Sequence, residues 1–324
     1  MAMGDSRIHR VATARRLKVL VTCRQMQEYL KEAGVPDSLK GVEFVLPKLN
    51  AQQFASSEVA NYAKGCQVIV VGDDTIDRIF FEKAPWVRAV IKWGVGYDSI
   101  DLDACRESGV SFQNTPGVFG DDVAEMAILL MLALQRRAVN VHNSIVQGEW
   151  PKPVGRSLKG LNVGIYGFGS IGQQIHVRTL SFGMTTFTFD PFLERDEMDP
   201  QVAIVGTLSE LASKSDVFIV CCPLNEVTRG SVNAQLLSSA KRGMVLVNVA
   251  RGPIVVEDDL AHAIVSGTIS GAGLDVFEQE PLPLDSPLRN LDNVLFSSHN
   301  SSNTAQGVNR ASLEVLKIIQ SFVS

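Results

Sequence analysis

Three polar residues in the C-terminal part of the chain have side chains that together could hold a carboxylate and transfer a proton. Arg251 follows the apolar segment GMVLVNVA, Glu280 follows GLDVF after a short loop, and His299 follows NVLFSS. A guanidinium grips a carboxylate through two parallel hydrogen bonds, and an imidazole accepts or donates a proton near neutral pH. A carboxylate that is hydrogen-bonded to the imidazole favours its charged form and fixes its orientation. These residue types suit hydride exchange at a 2-keto or 2-hydroxy acid.

The segments before these residues are typical of buried strands in a parallel sheet. In such a sheet the loops after successive strands emerge at one edge, where ligands bind, so the three side chains could face one cleft. His299 and Arg251, and also Asp275 in the segment GLDVF, have simpler interpretations. His299 could be a solvated loop histidine, Arg251 could form a salt bridge at a strand end, and Asp275 could satisfy the backbone where its strand ends.

A glycine-rich segment, GIYGFGSIG, predicts where a dinucleotide would bind. Gly167, Gly169 and Gly172 have the GxGxxG spacing, between an apolar strand and a helical segment. The first glycine permits a tight turn, the second lets a pyrophosphate approach the backbone, and the third lets the helix pack closely on the strand. Asp190 ends the next strand and Pro191 follows, which favours NAD over NADP. The alternative is a tight turn in a flavodoxin-like sheet.

Strands and helices alternate along most of the chain, which predicts an α/β fold with parallel sheets covered on both faces. The first group of predicted strands is LKVLV (17–21), VEFVL (42–46), QVIVV (67–71) and VRAVI (87–91). One helical pattern covers 121–147, and WPKPVGRSLKG follows it as a linker. A second strand and helix series begins at the glycine-rich segment. The sequence therefore predicts two parallel α/β units.

The composition excludes several classes of protein. With a net charge of −5 and a pI of about 5.6, the chain has no basic field that would attract nucleic acid or an anionic membrane. The five cysteines are scattered in apolar segments without the spacing of a metal site, so we expect no metal and a reducing, cytoplasmic location. Residues 1–16 lack the apolar core of a secretory signal, which predicts a disordered extension or a transit peptide.

From about residue 17 onward the chain resembles the D-isomer-specific 2-hydroxyacid dehydrogenases. The similarity is to phosphoglycerate dehydrogenase-like and hydroxypyruvate or glyoxylate reductase-like members without a C-terminal regulatory domain. The motifs that carry it, in order, are IKWGVGYDSID (91–101), NTPGVFGDDVAE (114–125), GIYGFGSIG with FDP (164–191), CCPLNEVTRG (221–230), LVNVARGPIVVEDDL (246–260), LDVFEQEP (274–281) and SSHNSSNT (297–304).

The resemblance implies a fold of two Rossmann-like domains with the active site in the cleft between them. A flavodoxin-like substrate lobe would comprise residues 17–117 and 297–324, and an NAD-binding lobe residues 118–296. The family is usually dimeric, so we expect a homodimer that acts on a small 2-hydroxy or 2-keto acid.

The resemblance also implies roles for individual residues. Arg251 would bind the substrate carboxylate and carbonyl, and Glu280 would pair with His299, the acid and base. The backbone at Val95 and Gly96 would hold the carboxylate. Besides the three glycines, the implied NAD-binding residues are Ser170, Ile171, Asp190, Cys222, Pro223, Thr228, Val249, Ala250 and Asp275.

The chain departs from the family pattern at three places. Ser298 stands where a proline commonly precedes the histidine, and Ser301 stands where glycine or alanine is frequent. The segment FGDD (119–122) replaces an Asn-containing turn before VAE. The first two departures leave the acid and base assignment in place, and the third leaves the lining of the substrate side open.

Lys92 has two interpretations. In relatives that resemble phosphoglycerate dehydrogenases a basic residue at this place can contact a substrate phosphate, whereas an ordinary surface lysine would pack its stem on Trp93. The sequence does not identify the substrate among glyoxylate, hydroxypyruvate, pyruvate, longer 2-ketoacids and phosphohydroxypyruvate. All of these present the same carboxylate and carbonyl groups to Arg251. Other candidate functions are an NAD(H)-sensing binding protein and a phosphite or formate dehydrogenase. Formate dehydrogenase pairs its histidine with Gln, so Glu280 argues against it.

Overall fold

The protein is described by a computed structural model over residues 16–51, 53–193 and 199–323. These residues form two compact units. Unit 1 contains the described residues up to Phe119 and those from Thr304 onward, and unit 2 spans Gly120–Asn303. The predicted N-terminal extension lies outside the described residues apart from Arg16. The chain returns from unit 2 to unit 1 after residue 303, whereas the sequence-based boundary lay after residue 296, seven residues earlier. His299 therefore belongs to the same unit as Glu280.

Unit 1 is built on a five-stranded parallel sheet. Its strands are β1 (Lys18–Val21), β2 (Glu43–Val45), β3 (Val68–Val71), β4 (Ala89–Lys92) and β5 (Ser111–Gln113), in the order β2-β1-β3-β4-β5. The four strands predicted in this part of the sequence are confirmed. Strand β5 was not predicted, because SFQ is short and partly exposed. The order reverses between β1 and β3, which is the flavodoxin-like arrangement.

Four helices connect the strands of unit 1. They are α1 (Arg24–Ala33), α2 (Ser56–Tyr62), α3 (Arg78–Lys83) and α4 (Leu102–Glu107). The side chains of Asp77 and Asp101 accept hydrogen bonds from backbone N–H groups at the starts of α3 and α4, and so fix where these helices begin. Leu20, Ile69 and Phe80 belong to the core that the helices cover.

Unit 2 is built on a seven-stranded sheet whose paired strands are also parallel. Its strands are β6 (Asn162–Tyr166), β7 (Thr185–Phe189), β8 (Val202–Ile204), β9 (Val217–Val220), β10 (Met244–Asn248), β11 (Ile269–Leu274) and β12 (Val294–Phe296). Their order is β12-β11-β10-β9-β6-β7-β8. The order reverses between β6 and β9, which is the dinucleotide-binding arrangement.

Unit 2 contains six α-helices among its described residues, and two of them replace the single long helix that the sequence predicts. They are α5 (Gly120–Arg136), α6 (Ala138–Val146), α7 (Ser170–Ser181), α8 (Leu208–Lys214), α9 (Ala234–Ser238) and α10 (Glu257–Val265). The single helix predicted over 121–147 is wrong, because the chain breaks at Arg137, where φ is 53°. The N–H of Arg156 donates to the Gln135 carbonyl at 2.9 Å, so a distant segment occupies the end of α5. A local apolar pattern cannot reveal such a contact.

The same distant segment is tied to the sheet through the buried carboxylate of Asp216. Arg156 and Lys241 each lie 2.8 Å from its Oδ1, and the N–H of Asn162 donates to Oδ2 at 3.0 Å. Burial by itself raises the pKa of Asp216, but these three contacts outweigh it and hold the pKa below its ordinary value.

Helix α5 packs on β10 and β11, the two strands that lead into the candidate site. Glycine in β11 permits this close approach, because a Cβ on Gly273 would lie 2.8 Å from Cβ of Leu130 on α5. At its N-terminus, Gly120 brings α5 close to the start of α7, where a Cβ would lie 3.3 Å from the Ser170 carbonyl oxygen. Helix α5 thus begins within FGDD (119–122), the segment that differs from the family pattern. It packs on β10 and β11 and on helix α7.

The last helix, α11 (Ala305–Ser321), belongs to unit 1. Thr304 caps it by accepting the N–H of Gly307. The indole N–H of Trp93 donates to the Ser312 hydroxyl at 3.1 Å, and the Trp93 ring packs on Phe119 with centroids 5.3 Å apart. The sequence pattern alone left the partner of this helix open.

Candidate active site

The imidazole of His299 and the carboxylate of Glu280 form a hydrogen bond in which Nδ1 and Oε2 are 2.8 Å apart. The other oxygen of Glu280 accepts the N–H of Phe277 at 3.0 Å, so both carboxylate oxygens are held. The two side chains remain 23% and 33% exposed. When Nδ1 carries the proton that is shared with Glu280, Nε2 is the nitrogen that can exchange a proton with a bound molecule.

The turn that carries His299 is held by Asp275, whose carboxylate is buried at the end of β11. One oxygen accepts the N–H of Asn300 at 2.9 Å, and the other accepts both the N–H of Ser301, at 3.1 Å, and its hydroxyl. The Asp275 carbonyl accepts the N–H of His299 at 2.7 Å. His299 has a φ of 54°, which is unfavourable for a residue other than glycine, and this set of bonds offsets the cost.

The side chain of Asn248 shapes the turn that carries Arg251. Asn248 accepts the N–H of Ala250 at 3.1 Å and donates to the Arg251 carbonyl at 3.0 Å. Gly252 lets this turn pack on its neighbour, because a Cβ there would overlap the backbone of Phe277. The turns after β10 and β11 therefore lie side by side, which fixes the backbone of Arg251 relative to the loop of Glu280.

The glycine-rich loop lies where the sheet order of unit 2 reverses. Gly167 has a φ of 93°, and a Cβ there would lie 2.7 Å from the backbone of Cys222, on the loop after β9. A Cβ on Gly172 would overlap the carbonyl oxygen of Gly167, whereas a Cβ on Gly169 would have no atom within 4 Å. The loop is thus closely packed at its first and third glycines and open at the second, which fits a bound pyrophosphate.

Helix α7 begins directly after this loop, with Gly169 as its N-cap residue and without a side-chain cap. The backbone N–H groups of Ser170 and Ile171 belong to its first turn, where an α-helix has no internal acceptor for them. A helix start of this kind attracts a phosphate through its N–H groups and its positive dipole end. These residues fit the phosphate part of NAD.

Asp190 follows β7 and is anchored beside the glycine-rich loop. Its Oδ2 accepts the N–H of Phe168 at 2.9 Å, and its Oδ1 accepts the N–H of Phe192 at 3.0 Å. Each carboxylate oxygen retains a further lone pair for a ribose hydroxyl. The position and charge of Asp190 fit an adenosine ribose with a free 2′-hydroxyl.

The remaining predicted NAD-binding residues lie on the loops after β9 and β10. The Thr228 hydroxyl donates to the Pro223 carbonyl at 2.7 Å and accepts the N–H of Asn225 at 2.9 Å, which closes the turn after β9. Val249 and Ala250 are buried at the end of β10. The structure therefore brings both loops to the edge of the sheet where the glycine-rich loop lies.

The thiol and phenol groups around the glycine-rich loop carry no charge at neutral pH. Burial raises the pKa of Cys222 to about 12 and that of Cys221 well above its ordinary value. Burial also raises the pKa of Tyr166 to about 12. The thiol of Cys221 donates to the Gly167 carbonyl at 3.1 Å. These groups act as packing and hydrogen-bonding partners, not as nucleophiles.

Lys92, a predicted substrate residue, lies in unit 1 and is 3% exposed. Its Nζ donates to the Gly72 carbonyl at 2.6 Å and to Oδ1 of Asp73 at 2.8 Å. The alternative interpretation of Lys92 as a surface lysine is therefore wrong. Burial is possible because the ammonium has two polar partners at the end of its stem.

The predicted carboxylate-binding backbone at Val95 and Gly96 also lies in unit 1. It forms, with Gly94, a segment that we call the GVG loop (94–96). The side chain of Asn114 donates to the Val95 carbonyl at 2.7 Å, and the N–H of Gly94 donates to the Thr115 hydroxyl at 3.0 Å. Neighbouring polar side chains thus fix the loop at two points.

Two findings apply to the described residues only. None of their His, Cys, Asp and Glu side chains form a group of three or more that could hold a metal ion. None of their helices is both long and apolar enough to cross a membrane.

The sequence matches a known family over more than half of its length. The family model described as "D-isomer specific 2-hydroxyacid dehydrogenase, NAD binding domain" covers residues 128–301. The chain belongs to this family. A hydroxypyruvate reductase of Thermotoga maritima is 34% identical to this dehydrogenase over 278 residues, which cover 84% of this chain and 90% of the relative. A D-3-phosphoglycerate dehydrogenase of Methanocaldococcus jannaschii is 33% identical over 288 residues, which cover 88% of this chain and 55% of the relative.

A solved relative agrees in fold and cofactor. The crystal structure of D-lactate dehydrogenase from Aquifex aeolicus, complexed with NAD and lactic acid, is similar with a TM-score of 0.83 and 26% identity, over 94% of this chain and 95% of that one. The predicted fold, with two parallel α/β sheets, is confirmed. As a family member this dehydrogenase is an oxidoreductase, and its cofactor is NAD.

The sequence motifs of this dehydrogenase indicate the candidate reactive side chains more readily than the residues that orient them. Asn248 and the carboxylate clamp of Asp275 on Ser301 were missed as positioning elements. A signal for Asn248 existed, because a polar residue inside the apolar segment VLVNVA must find hydrogen-bond partners. For Asp275 the sequence indicates a backbone contact at the strand end and a place among the NAD-binding residues, but not that its carboxylate holds the turn of His299.

Proposed function

We propose that this dehydrogenase transfers a hydride between NAD and C2 of a D-2-hydroxy or 2-keto acid, with His299 as the acid and base. The observation that carries the proposal is the 2.8 Å contact between His299 Nδ1 and Glu280 Oε2. A carboxylate at this position stabilises the imidazolium and prevents the ring from rotating. It leaves Nε2 for the oxygen on C2 of the substrate.

His299 transfers a proton at the same time as the hydride moves, in both reduction and oxidation. During reduction, Nε2 of His299 donates its proton to the carbonyl oxygen while C2 gains the hydride. During oxidation, Nε2 accepts the hydroxyl proton while C2 loses the hydride. Glu280 stays a carboxylate throughout and stabilises the imidazolium that forms in oxidation.

The substrate carboxylate would be held by two groups. The guanidinium of Arg251 offers paired N–H groups to the carboxylate and polarises the carbonyl beside it. The backbone at Val95 and Gly96 would bind the same carboxylate. Support for Arg251 comes from the locked turns after β10 and β11, which hold its backbone in a fixed position relative to the loop of Glu280.

NAD supplies the hydride acceptor and donor when it is bound. Ser170 and Ile171 would hold the pyrophosphate beside Gly167, Gly169 and Gly172, and Asp190 would bind the ribose hydroxyls. Cys222, Pro223 and Thr228 are proposed to line the adenine side, and Val249, Ala250 and Asp275 the nicotinamide side.

The test is the oxidation of NADH by purified enzyme with glyoxylate, hydroxypyruvate, pyruvate and phosphohydroxypyruvate. We expect turnover with at least one of them and a loss of roughly 10²- to 10⁴-fold in kcat for His299→Ala. NADH binding, measured by fluorescence titration, should stay unchanged in this variant. Tight NADH binding without turnover on any ketoacid would contradict the proposal and favour an NAD(H)-sensing protein.

We also propose that the enzyme is a cytoplasmic homodimer. Helix α6 has no buried residue, and apolar side chains are exposed on it and on the segment after it, at Ile145, Val146, Trp150 and Val154. Apolar and aromatic side chains grouped in this way are typical of protein interfaces. The five free cysteines suit a reducing compartment. Light scattering should give a dimer mass, and Val146→Asp with Trp150→Ser should give the monomer.

A further inference from the structure

The loop that carries Glu280 is joined to the start of helix α10 by two hydrogen bonds. Oε1 of Glu257, the first residue of α10, accepts the N–H of Glu278 at 2.7 Å. In return, Oε1 of Glu278 accepts the N–H of Glu257 at 2.9 Å. The carboxylate of Glu257 thus binds the backbone of the loop two residues before Glu280.

One peptide group of this loop, between Phe277 and Glu278, is held from two sides. Its N–H donates to Glu257, and its carbonyl group packs on Gly252, where a Cβ would overlap both the carbon and the oxygen. Because a peptide group is planar, these two contacts fix its orientation. The N–H of Phe277 binds Oε1 of Glu280 at 3.0 Å, so the backbone that holds the Glu280 carboxylate leads directly into the fixed peptide.

Both contacts come from a segment that is anchored to the rest of unit 2. Gly252 and Glu257 lie at the two ends of the connection between the turn of Arg251 and α10. The N–H of Val232 donates to the Ile254 carbonyl at 3.0 Å, and the Val232 carbonyl accepts the N–H of the residue before Glu257 at 2.9 Å. Helix α10 itself packs on β11 and α9. Glu257 therefore ties an exposed loop to a fixed part of the fold.

The surroundings of Glu257 are unfavourable for a negative charge. Burial raises the pKa of Glu257, and the carboxylates of Glu278, Asp258 and Glu280 raise it further. The hydrogen bond from the N–H of Glu278 acts in the opposite direction and favours the charged form. The contact with the loop is thus what a carboxylate contributes at this position.

We propose that Glu257 is a positioning residue, which holds the loop of Glu280 so that the Glu280 carboxylate reaches His299. The proposal rests on the proposed function, because it takes Glu280 and His299 as the acid and base pair. If the peptide after Phe277 rotates, the chain leaves Phe277 in another direction and the Glu280 carboxylate moves. Its contact with His299 Nδ1 is 2.8 Å, and a displacement of about 1 Å is enough to break it.

The experiment compares two substitutions of Glu257 that separate its reach from its charge. Glu257→Gln removes the charge and keeps the side-chain length and an oxygen that can accept the N–H of Glu278. Glu257→Asp keeps the charge and shortens the side chain by one methylene, which draws the carboxylate away from this N–H. Asp258→Ala is the control, because it removes a carboxylate from the next position of α10, which is exposed. Turnover of the preferred ketoacid and of its hydroxy acid is measured over a range of pH, and NADH affinity and urea unfolding report on folding.

We expect Glu257→Asp to lower kcat about tenfold, because a displaced acid and base pair slows proton transfer. KM should stay within about twofold of the wild-type value, because the groups that bind the substrate carboxylate are unchanged. In oxidation, activity should extend to lower pH, since an imidazole that has lost its carboxylate partner stays neutral to lower pH. Glu257→Gln and Asp258→Ala should keep the wild-type kcat and pH profile.

Three results would overturn the proposal. One is a Glu257→Asp enzyme with the wild-type kcat and pH profile. Another is a loss in Glu257→Gln or Asp258→Ala as large as that in Glu257→Asp, which would mean that the hydrogen bond to the loop is not responsible. The third is a loss in Glu257→Asp by the same factor at every pH, as a smaller fraction of folded enzyme would give.

A titration of His299 separates this proposal from the proposed function. If the wild-type protein turns over no ketoacid, the proposed function fails, and NMR titration of the imidazole decides the role of Glu257 by itself. The signal of His299 is the one that disappears in His299→Ala. A lower titration midpoint of His299 in Glu257→Asp, with the wild-type midpoint kept in Glu257→Gln, supports the role of Glu257. The same midpoint in Glu257→Asp as in the wild-type protein, or an equal fall in both variants, overturns it.

Discussion

The substitution Glu280→Gln tests the acid and base pair directly, because it removes the charge beside His299 and keeps the shape of the side chain. The amide oxygen can still accept the N–H of Phe277, as Glu280 Oε1 does at 3.0 Å. The amide nitrogen then faces His299 Nδ1 and must donate to it. The ring proton is thereby confined to Nε2, so the imidazole stays neutral and Nε2 cannot accept a proton from a hydroxyl group.

The size of the loss can be worked from the contact. A hydrogen bond of 2.8 Å between an imidazolium and a carboxylate contributes about 2 to 3 kcal/mol when its partners are partly exposed. Since about 1.4 kcal/mol corresponds to a tenfold change, kcat/KM should fall roughly 30- to 150-fold. The fall should be equal for reduction and oxidation, because a catalyst cannot change the equilibrium between substrate and product.

The assay is steady-state turnover of the preferred ketoacid and of its hydroxy acid, with NADH affinity measured separately. Glu278→Gln is the matched control. Its carboxylate accepts the N–H of Glu257 at 2.9 Å and lies two positions before Glu280 in the same loop. The control makes the same chemical change, and we expect activity within about twofold of the wild-type enzyme, as is usual for changes remote from the reacting groups.

Two results would refute this reasoning. One is a folded Glu280→Gln enzyme with wild-type kcat/KM, which would mean that the imidazolium needs no carboxylate. The other is an equal loss in Glu278→Gln, which would mean that the loop as a whole, and not the charge on His299, is responsible.

Three further predictions concern stability and reactivity. Asp216→Asn should lower the free energy of unfolding by about 2 kcal/mol at pH 7. Because the folded pKa is depressed, the difference should be constant above the ordinary pKa of about 4 and should shrink as pH falls below it through the folded pKa, in urea unfolding at several pH values. Gly172→Ala should destabilise the NAD-free protein, since its Cβ would overlap the Gly167 carbonyl, whereas Gly169→Ala should leave its unfolding midpoint unchanged. The Cys222 thiol, with a pKa of about 12, is about one part in ten thousand thiolate at pH 8 and should react with a disulfide reagent only after unfolding.

Several features could be read from the sequence because they depend on local patterns. Apolar segments of strand length, separated by helices, predicted the parallel sheets, since a strand buried on both faces must be apolar throughout. The GxGxxG spacing located the cofactor loop, because glycines are needed where the backbone makes a tight turn, approaches a pyrophosphate and packs closely against a helix. Residue type then indicated the candidate chemistry of Arg251, Glu280 and His299.

Other features required the tertiary structure because they depend on contacts between distant segments. The break at Arg137 comes from a segment about twenty residues later that occupies the end of α5. His299 belongs to unit 2, where Asp275 holds its turn through hydrogen bonds between the loops that follow the neighbouring strands β11 and β12. The sequence left Lys92 open between a surface residue and a phosphate ligand, and only the pairing of β3 with β4 shows that its ammonium lies beside Asp73. A sequence specifies which side chains are present, whereas the charge that a ligand meets depends on which of them the fold buries together.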